Sequence, residues 1–170
     1  YNYNISGKLE EGELILPELK KNSIIEDDFK TIYFTDLQIK TSLTPKTFFL
    51  KGDGKYSLNN SDYLKINFEN KIKEDQKNLN FNFEFKNNLK LDLINYKKPK
   101  NSIANISLSV NNKKEEIKIN KLKYEENDNL IKIDNLIFKE NKFSSFEKVE
   151  VKTSENDFFI ENNKKILVKG

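Results

Sequence analysis

The sequence predicts an all-β protein: an antiparallel meander of about a dozen strands, one sheet curled on itself, with at most one short helix. Three observations predict it. Apolar residues recur at period two along almost the whole chain, as in "LNFNFEFK", where Leu79, Phe81, Phe83 and Phe85 take one side and Asn80, Asn82, Glu84 and Lys86 the other. Ala, the best helix former, occurs once, at Ala104. Asn pairs, which tolerate positive φ and suit tight turns, recur at Asn59–Asn60, Asn87–Asn88, Asn111–Asn112 and Asn162–Asn163.

The strands follow in order. Tyr1, Tyr3 and Ile5 alternate, then Leu14 and Leu16. Residues 18 to 31 are the one stretch with helical character, where Ser23 and Glu26 of "SIIE" offer a weak capping box. Ile32 and Phe34 precede Leu37 and Ile39 after a phase slip that reads as a β-bulge. "FFLKGDGKYSL" holds one phase through Phe48, Leu50, Gly52, Gly54, Tyr56 and Leu58. Leu64, Ile66 and Phe68 come next, then the phenylalanine stretch, then Leu89, Leu91 and Leu93. Beyond lie Ile106, Leu108 and Val110; Ile117 and Ile119; Ile131 and Ile133; Val149 and Val151; Phe158 and Ile160; and Ile166 and Val168. No linker or shift of composition divides residues 1–170, which read as a single segment of a longer protein.

Composition removes most chemistry. The 170 residues carry 36% hydrophobic and 34% charged side chains, a mean hydropathy of -0.77 and a net charge of +3. Thirteen Phe arranged at period two separate the chain from disordered sequences of similar polarity. Without His or Cys there is no triad base, thiol nucleophile or Cys/His zinc site, and no disulfide framework. Without Arg there is no bidentate phosphate clamp; every basic residue is Lys. Asp27 and Asp28 read as solvated loop residues rather than a metal or acid–base pair. "KGDGK" (Lys51 to Lys55) lacks the ending of a P-loop and the ligand series of an EF-hand, so its glycines read as a bend or a close approach. "KKPK" (Lys97 to Lys100) reads as a turn, and "NNKKEE" (Asn111 to Glu116) cancels its own charge, so no nucleic-acid partner is expected. No catalytic residue, cofactor or metal site is expected, and the chain is not read as an enzyme. No stretch approaches the ~20 apolar residues of a spanning helix.

A sheet of this size must hide its apolar face. It can close as a structural or adhesive sandwich or barrel around its own side chains, face lipid as a membrane barrel, or stay open as a trough for greasy cargo. Periodicity does not separate the three, although the absence of Trp and of an aromatic girdle speaks against the membrane barrel.

The C-terminal half resembles the AsmA-like proteins, in particular their long YhdP-type branch. The stretches that carry the likeness are "LKLDLINYKKPKNSIANISLSV", "IKINKLKYEENDNLIKIDNLIFKENKFSSFEKVEVKTSENDFF" and the closing "ILVKG". In the N-terminal half, "ISGKLEEGELILP" and "IYFTDLQIKTSLTPKTFFLKGDGKYSL" are similar to the strand-and-Gly units those proteins repeat. The chain departs from the family in its scarcity of Ala, Arg and Gly. The resemblance implies an elongated open groove, β-taco-like, in a periplasmic protein of a Gram-negative bacterium. The inner-membrane anchor would lie outside these residues, and the partner would be the acyl chains of phospholipid moving toward the outer membrane. A related trough for lipopolysaccharide or outer-membrane protein assembly is the alternative cargo reading. On this reading Phe48, Leu50, Leu64, Ile66, Phe68, Phe81, Phe83, Phe85, Leu89, Leu91, Leu93, Ile106 and Leu108 are the lipid-binding candidates.

Overall fold

The computed structural model describes residues 1–17 and 29–162, together with the backbone of 166–169. The stretch with helical character, including Ser23, Glu26, Asp27 and Asp28, falls largely outside the described residues.

Among the described residues fourteen strands form. They are β1 (Tyr3–Ile15), β2 (Thr31–Leu43), β3 (Thr47–Ser57), β4 (Leu64–Lys73), β5 (Gln76–Phe85), β6 (Leu89–Leu91), β7 (Tyr96–Lys98), β8 (Ala104–Lys113), β9 (Glu116–Glu126), β10 (Asn129–Lys139), β11 (Lys142–Ser145), β12 (Lys148–Lys152), β13 (Asp157–Asn162) and β14 (Ile166–Lys169). Twelve of them make one sheet in the order β1-β2-β3-β4-β5-β8-β9-β10-β12-β13-β14, with β11 paired to β10. Every pairing is antiparallel, and the sheet does not close into a barrel. It is the meander the alternation predicts, curled and open.

The hairpin turns show why so few glycines suffice. Positive φ falls on Glu74 between β4 and β5, Lys114 between β8 and β9, Asn127 between β9 and β10, and on both Glu140 and Asn141 between β10 and β11. Asn111 and Asn112, expected at a turn, instead lie inside β8, and the turn follows at Lys114. On that strand Asn111 Nδ2 donates to Asn78 Oδ1 at 2.7 Å, just as Asn82 Nδ2 donates to Asn67 Oδ1 at 3.0 Å. Asn thus serves as a cross-strand polar pair as well as a turn residue.

The phase slip between Phe34 and Leu37 is a bulge. The β2–β3 register shifts between Thr35 and Gln38, Asp36 adopts φ 54°, and Leu37 turns into the interior at 4% exposure. Gly54 is what admits it. A Cβ there would stand 2.6 Å from Leu37 Cα and 2.9 Å from the Asp36 carbonyl oxygen, so only glycine lets the bulge press onto β3. The apolar phase changes again at Asn135, φ 53°, from Ile131 and Ile133 to Leu136 and Phe138, while the β9–β10 register runs on unshifted.

β6 and β7 leave the meander. They form a separate two-stranded ribbon joined by a 3-10 turn, Asp92–Ile94, closed by Asn95 in the left-handed region. This corrects the expectation of a sheet strand through Leu89, Leu91 and Leu93. The strand ends at Leu91, and Leu93 stands on the turn fully exposed. Period two cannot persist through a 3-10 turn, which carries three residues per turn.

Candidate functional site

The register aligns the apolar residues of successive strands into rows. Ile39, Gly52, Phe68, Phe81, Leu108, Leu122, Ile133, Val149 and Ile160 pair neighbour to neighbour from β2 to β13. A parallel row runs through Gly54, Ile66, Phe83, Ile106, Tyr124, Ile131, Val151 and Phe158. Because side chains opposite one another in an antiparallel pair share a face, these rows make one unbroken apolar surface. The other face is polar. It carries the Asn pairs and same-strand ion pairs such as Lys123–Glu125 at 2.6 Å and Lys132–Asp134 at 2.7 Å.

Among the described residues, one end of the apolar face is sealed by a packed core. There the segment bearing β6 and β7 folds over the sheet, and Phe85, Leu89, Tyr96, Ala104, Tyr124, Ile131 and Val151 form a dry core. A buried polar knot fastens it. The Tyr96 and Tyr124 hydroxyls lie 2.7 Å apart, and Tyr96 Oη donates to Glu126 Oε2 at 3.0 Å. Asn129 Nδ2 donates to the same oxygen at 2.7 Å. Glu126 is 2% exposed, and burial alone would raise its pKa. The nearby Ser102 hydroxyl, the hydrogen bonds from Tyr96 and Asn129, and the field of Lys98 outweigh that and hold the carboxyl below its ordinary value. Lys98, fully buried, donates from Nζ to the carbonyls of Lys86 at 2.7 Å and Pro99 at 2.9 Å. Burial pushes its pKa down, with Glu126 opposing. Every described buried side-chain nitrogen and oxygen has a partner, so the knot is fully satisfied.

Away from that end no described segment packs over the apolar face as β6 and β7 do. Ile66, Phe68, Phe81 and Phe83 remain half-buried, and beside them lies a cavity of about 480 Å³. Its lining is wholly apolar or aromatic. Leu14, Ile32 and Phe34 reach it from the first two strands and Phe29 from just before β2, Tyr56 and Leu58 from β3 and its end, and Ile66, Phe68, Phe81, Phe83, Phe85, Leu89 and Ile106 from the strands beyond. The volume is that of a small-molecule site. The Phe68 ring lies over Gly52, where a Cβ would meet its Cζ at 2.3 Å, and stacks at 5.7 Å on Phe81. Phe83 meets Tyr56 edge to face at 6.2 Å.

Of the predicted lipid-binding residues, the structure brings Ile66, Phe68, Phe81, Phe83, Phe85, Leu89 and Ile106 to this cavity. Leu108 continues the row beside Phe81, and Leu64 pairs with Tyr56. Leu50 and Phe48 lie on the same face toward the opposite end, where Phe48 pairs with Leu43 and Ile72. Leu91 packs against the dry core instead, and Leu93 belongs to neither. Leu14, Phe29, Ile32, Phe34, Tyr56 and Leu58 were not among the candidates, although the phase of β1 to β3 already placed most of them on the apolar side. Sequence alone does not show that the curl carries these strands over β4 and β5.

Among the described residues no cluster of acidic side chains could hold a metal ion. No described helix is long and apolar enough to cross a membrane. No family model, curated protein or solved structure matches the chain.

Proposed function

We propose that this chain is one section of an AsmA-like, YhdP-type β-groove that carries phospholipid between the inner and outer membranes of a Gram-negative bacterium, without catalysis. The parent protein would sit in the periplasm, anchored to the inner membrane through a region outside these residues. The observation that carries the reading is the curled sheet whose apolar rows run unbroken from β2 to β13 while, among the described residues, a packed core covers one end. Monomeric soluble proteins rarely leave a contiguous apolar face of this extent uncovered. An internally filled sandwich would bury Phe68, Phe81 and Phe83, which here stay half-open beside an apolar cavity.

The mechanism is passive. Acyl chains lie on the apolar floor while head groups stay in water along the open side, and no bond is made or broken. Transferring a chain from water to such a floor is worth about 0.8 kcal/mol per CH₂, so continuity of the rows matters more than any single side chain. Phe83→Glu places a carboxylate in the middle of the floor. The expected result is loss of crosslinking to a photoactivatable phospholipid in a protein that still folds, because the charge can turn toward the open side. Retained crosslinking, or outright unfolding from a charge trapped in a closed core, overturns the proposal.

A further inference from the structure

The apolar cavity has a basic neighbour. A cleft of about 150 Å³ opens between the β3–β4 loop and the segments that flank β6 and β7, lined by Leu58, Asn59, Asp62 and Leu64 on one side and Lys86, Asn87, Lys100 and Asn101 on the other. Leu58 lines both spaces, and Lys86 directly follows Phe85, which lines the apolar one. The two spaces are thus neighbours, one apolar and one polar.

The lysines are held in place from beneath. The buried Lys98 ammonium bonds the backbone carbonyls of Lys86 and Pro99, tying together the two segments that present Lys86 and Lys100. Lys86 Nζ pairs with Asp62 Oδ1 at 3.1 Å, and Asn59 Nδ2 donates to Asp62 Oδ2 at 3.2 Å. Lys100 has no ion-pair partner among the described residues. Among the described residues Asp62 is the one carboxylate lining the cleft, so the two lysines leave it one positive charge in excess, before Lys98 is considered.

We propose that this cleft is the head-group site for an anionic amphiphile whose tail occupies the apolar cavity, with Lys100 and Lys86 receiving a phosphate. The inference rests on the groove reading above and adds to it a preferred class of cargo, a phospho-lipid of net negative charge. The amide of Asn101 is a donor of the type that supplements ammonium groups on phosphate oxygens.

The test is calorimetric titration of the 170-residue chain with three probes at monomeric concentrations: dodecyl phosphate, dodecyl maltoside and inorganic phosphate. Dodecyl phosphate is expected to bind about tenfold more tightly than dodecyl maltoside, as charge-assisted contacts to two lysines imply. Inorganic phosphate alone is expected not to bind measurably. The double variant Lys86→Ala/Lys100→Ala should erase the preference while leaving dodecyl maltoside binding unchanged. Both side chains are solvent-accessible, and the Lys86 carbonyl that Lys98 needs survives the change. Equal binding of the two amphiphiles, or a preference that persists in the double variant, overturns the head-group site alone. Inorganic phosphate binding as tightly as dodecyl phosphate overturns the lipid assignment of the cleft. Failure of both amphiphiles to bind overturns the groove reading, and this inference with it.

Discussion

Replacing Glu126 with Gln probes the knot that seals one end of the groove. The carboxylate is 2% exposed and accepts from Tyr96 at 3.0 Å, from Asn129 at 2.7 Å and from Asn127 at 2.5 Å. An amide keeps the shape but turns one acceptor into a donor facing those donors. It also withdraws the negative charge that offsets the buried Lys98. Hydrogen bonds to a buried charge are worth about 1.5–3 kcal/mol, and breaking a buried charge pair costs about 3–5. The amide's residual bonding places the expected loss at about 2–3 kcal/mol. For a chain of this length each kcal/mol lowers the midpoint by about 2–4 °C, so thermal unfolding followed by circular dichroism should fall by about 4–12 °C. The sign with pH is also fixed. The folded-state pKa of Glu126 lies below its ordinary 4.5, so the unfolded chain takes up the proton first as pH falls. The carboxylate's contribution is therefore complete above that ordinary value and is lost as pH drops toward the folded-state one. Wild type and variant should converge in acid. A loss under about 0.5 kcal/mol, typical of an ordinary surface change, or a difference that stays constant into acid, would refute the account of the knot.

Three further outcomes follow from the same geometry. Gly54→Ala should destabilise by at least about 1–3 kcal/mol in denaturant titrations, since its Cβ would press on the backbone of Leu37 and Asp36; a neutral result would deny the bulge. Leu93→Ser should leave stability within about 0.5 kcal/mol, because the side chain already stands in water. Burial raises the phenols of Tyr56, Tyr96 and Tyr124, the last to about 12, with Tyr96 lowering and Glu126 raising it further. An ultraviolet titration should show their ionisation displaced above the ordinary value of 10, with stability falling as pH rises past that value, where only the unfolded chain ionises. Ionisation of all seven tyrosines together near 10 would contradict it.

Alternation made the sheet legible because each strand has one wet and one dry face, and the side-chain period is two by geometry. Even the bulge at Asp36 could be read, as the apolar phase jumps from Phe34 to Leu37. The change of apolar phase at Asn135 lies beyond the Ile131 and Ile133 pair that marks the strand in the sequence, and it leaves the β9–β10 register unshifted. The β6–β7 ribbon was misread because Leu89, Leu91 and Leu93 keep strand spacing, whereas the chain turns at Asn95, whose left-handed conformation leaves no mark on the hydrophobic pattern. Lys98 was hidden for a different reason. "KKPK" reads as a turn, and nothing local distinguishes the lysine that is buried among carbonyls from its neighbours. Which strands face one another across the curl depends on sheet twist summed over many strands, so Phe34 and Phe81 lining one cavity is a tertiary fact.

Native mass spectrometry of the 170-residue chain, purified without detergent and then exposed to phosphatidylglycerol vesicles, tests the groove most directly. The account predicts discrete mass additions of single phospholipids, lost in Phe83→Glu. A wild-type spectrum showing only the bare chain, before and after exposure, would contradict it.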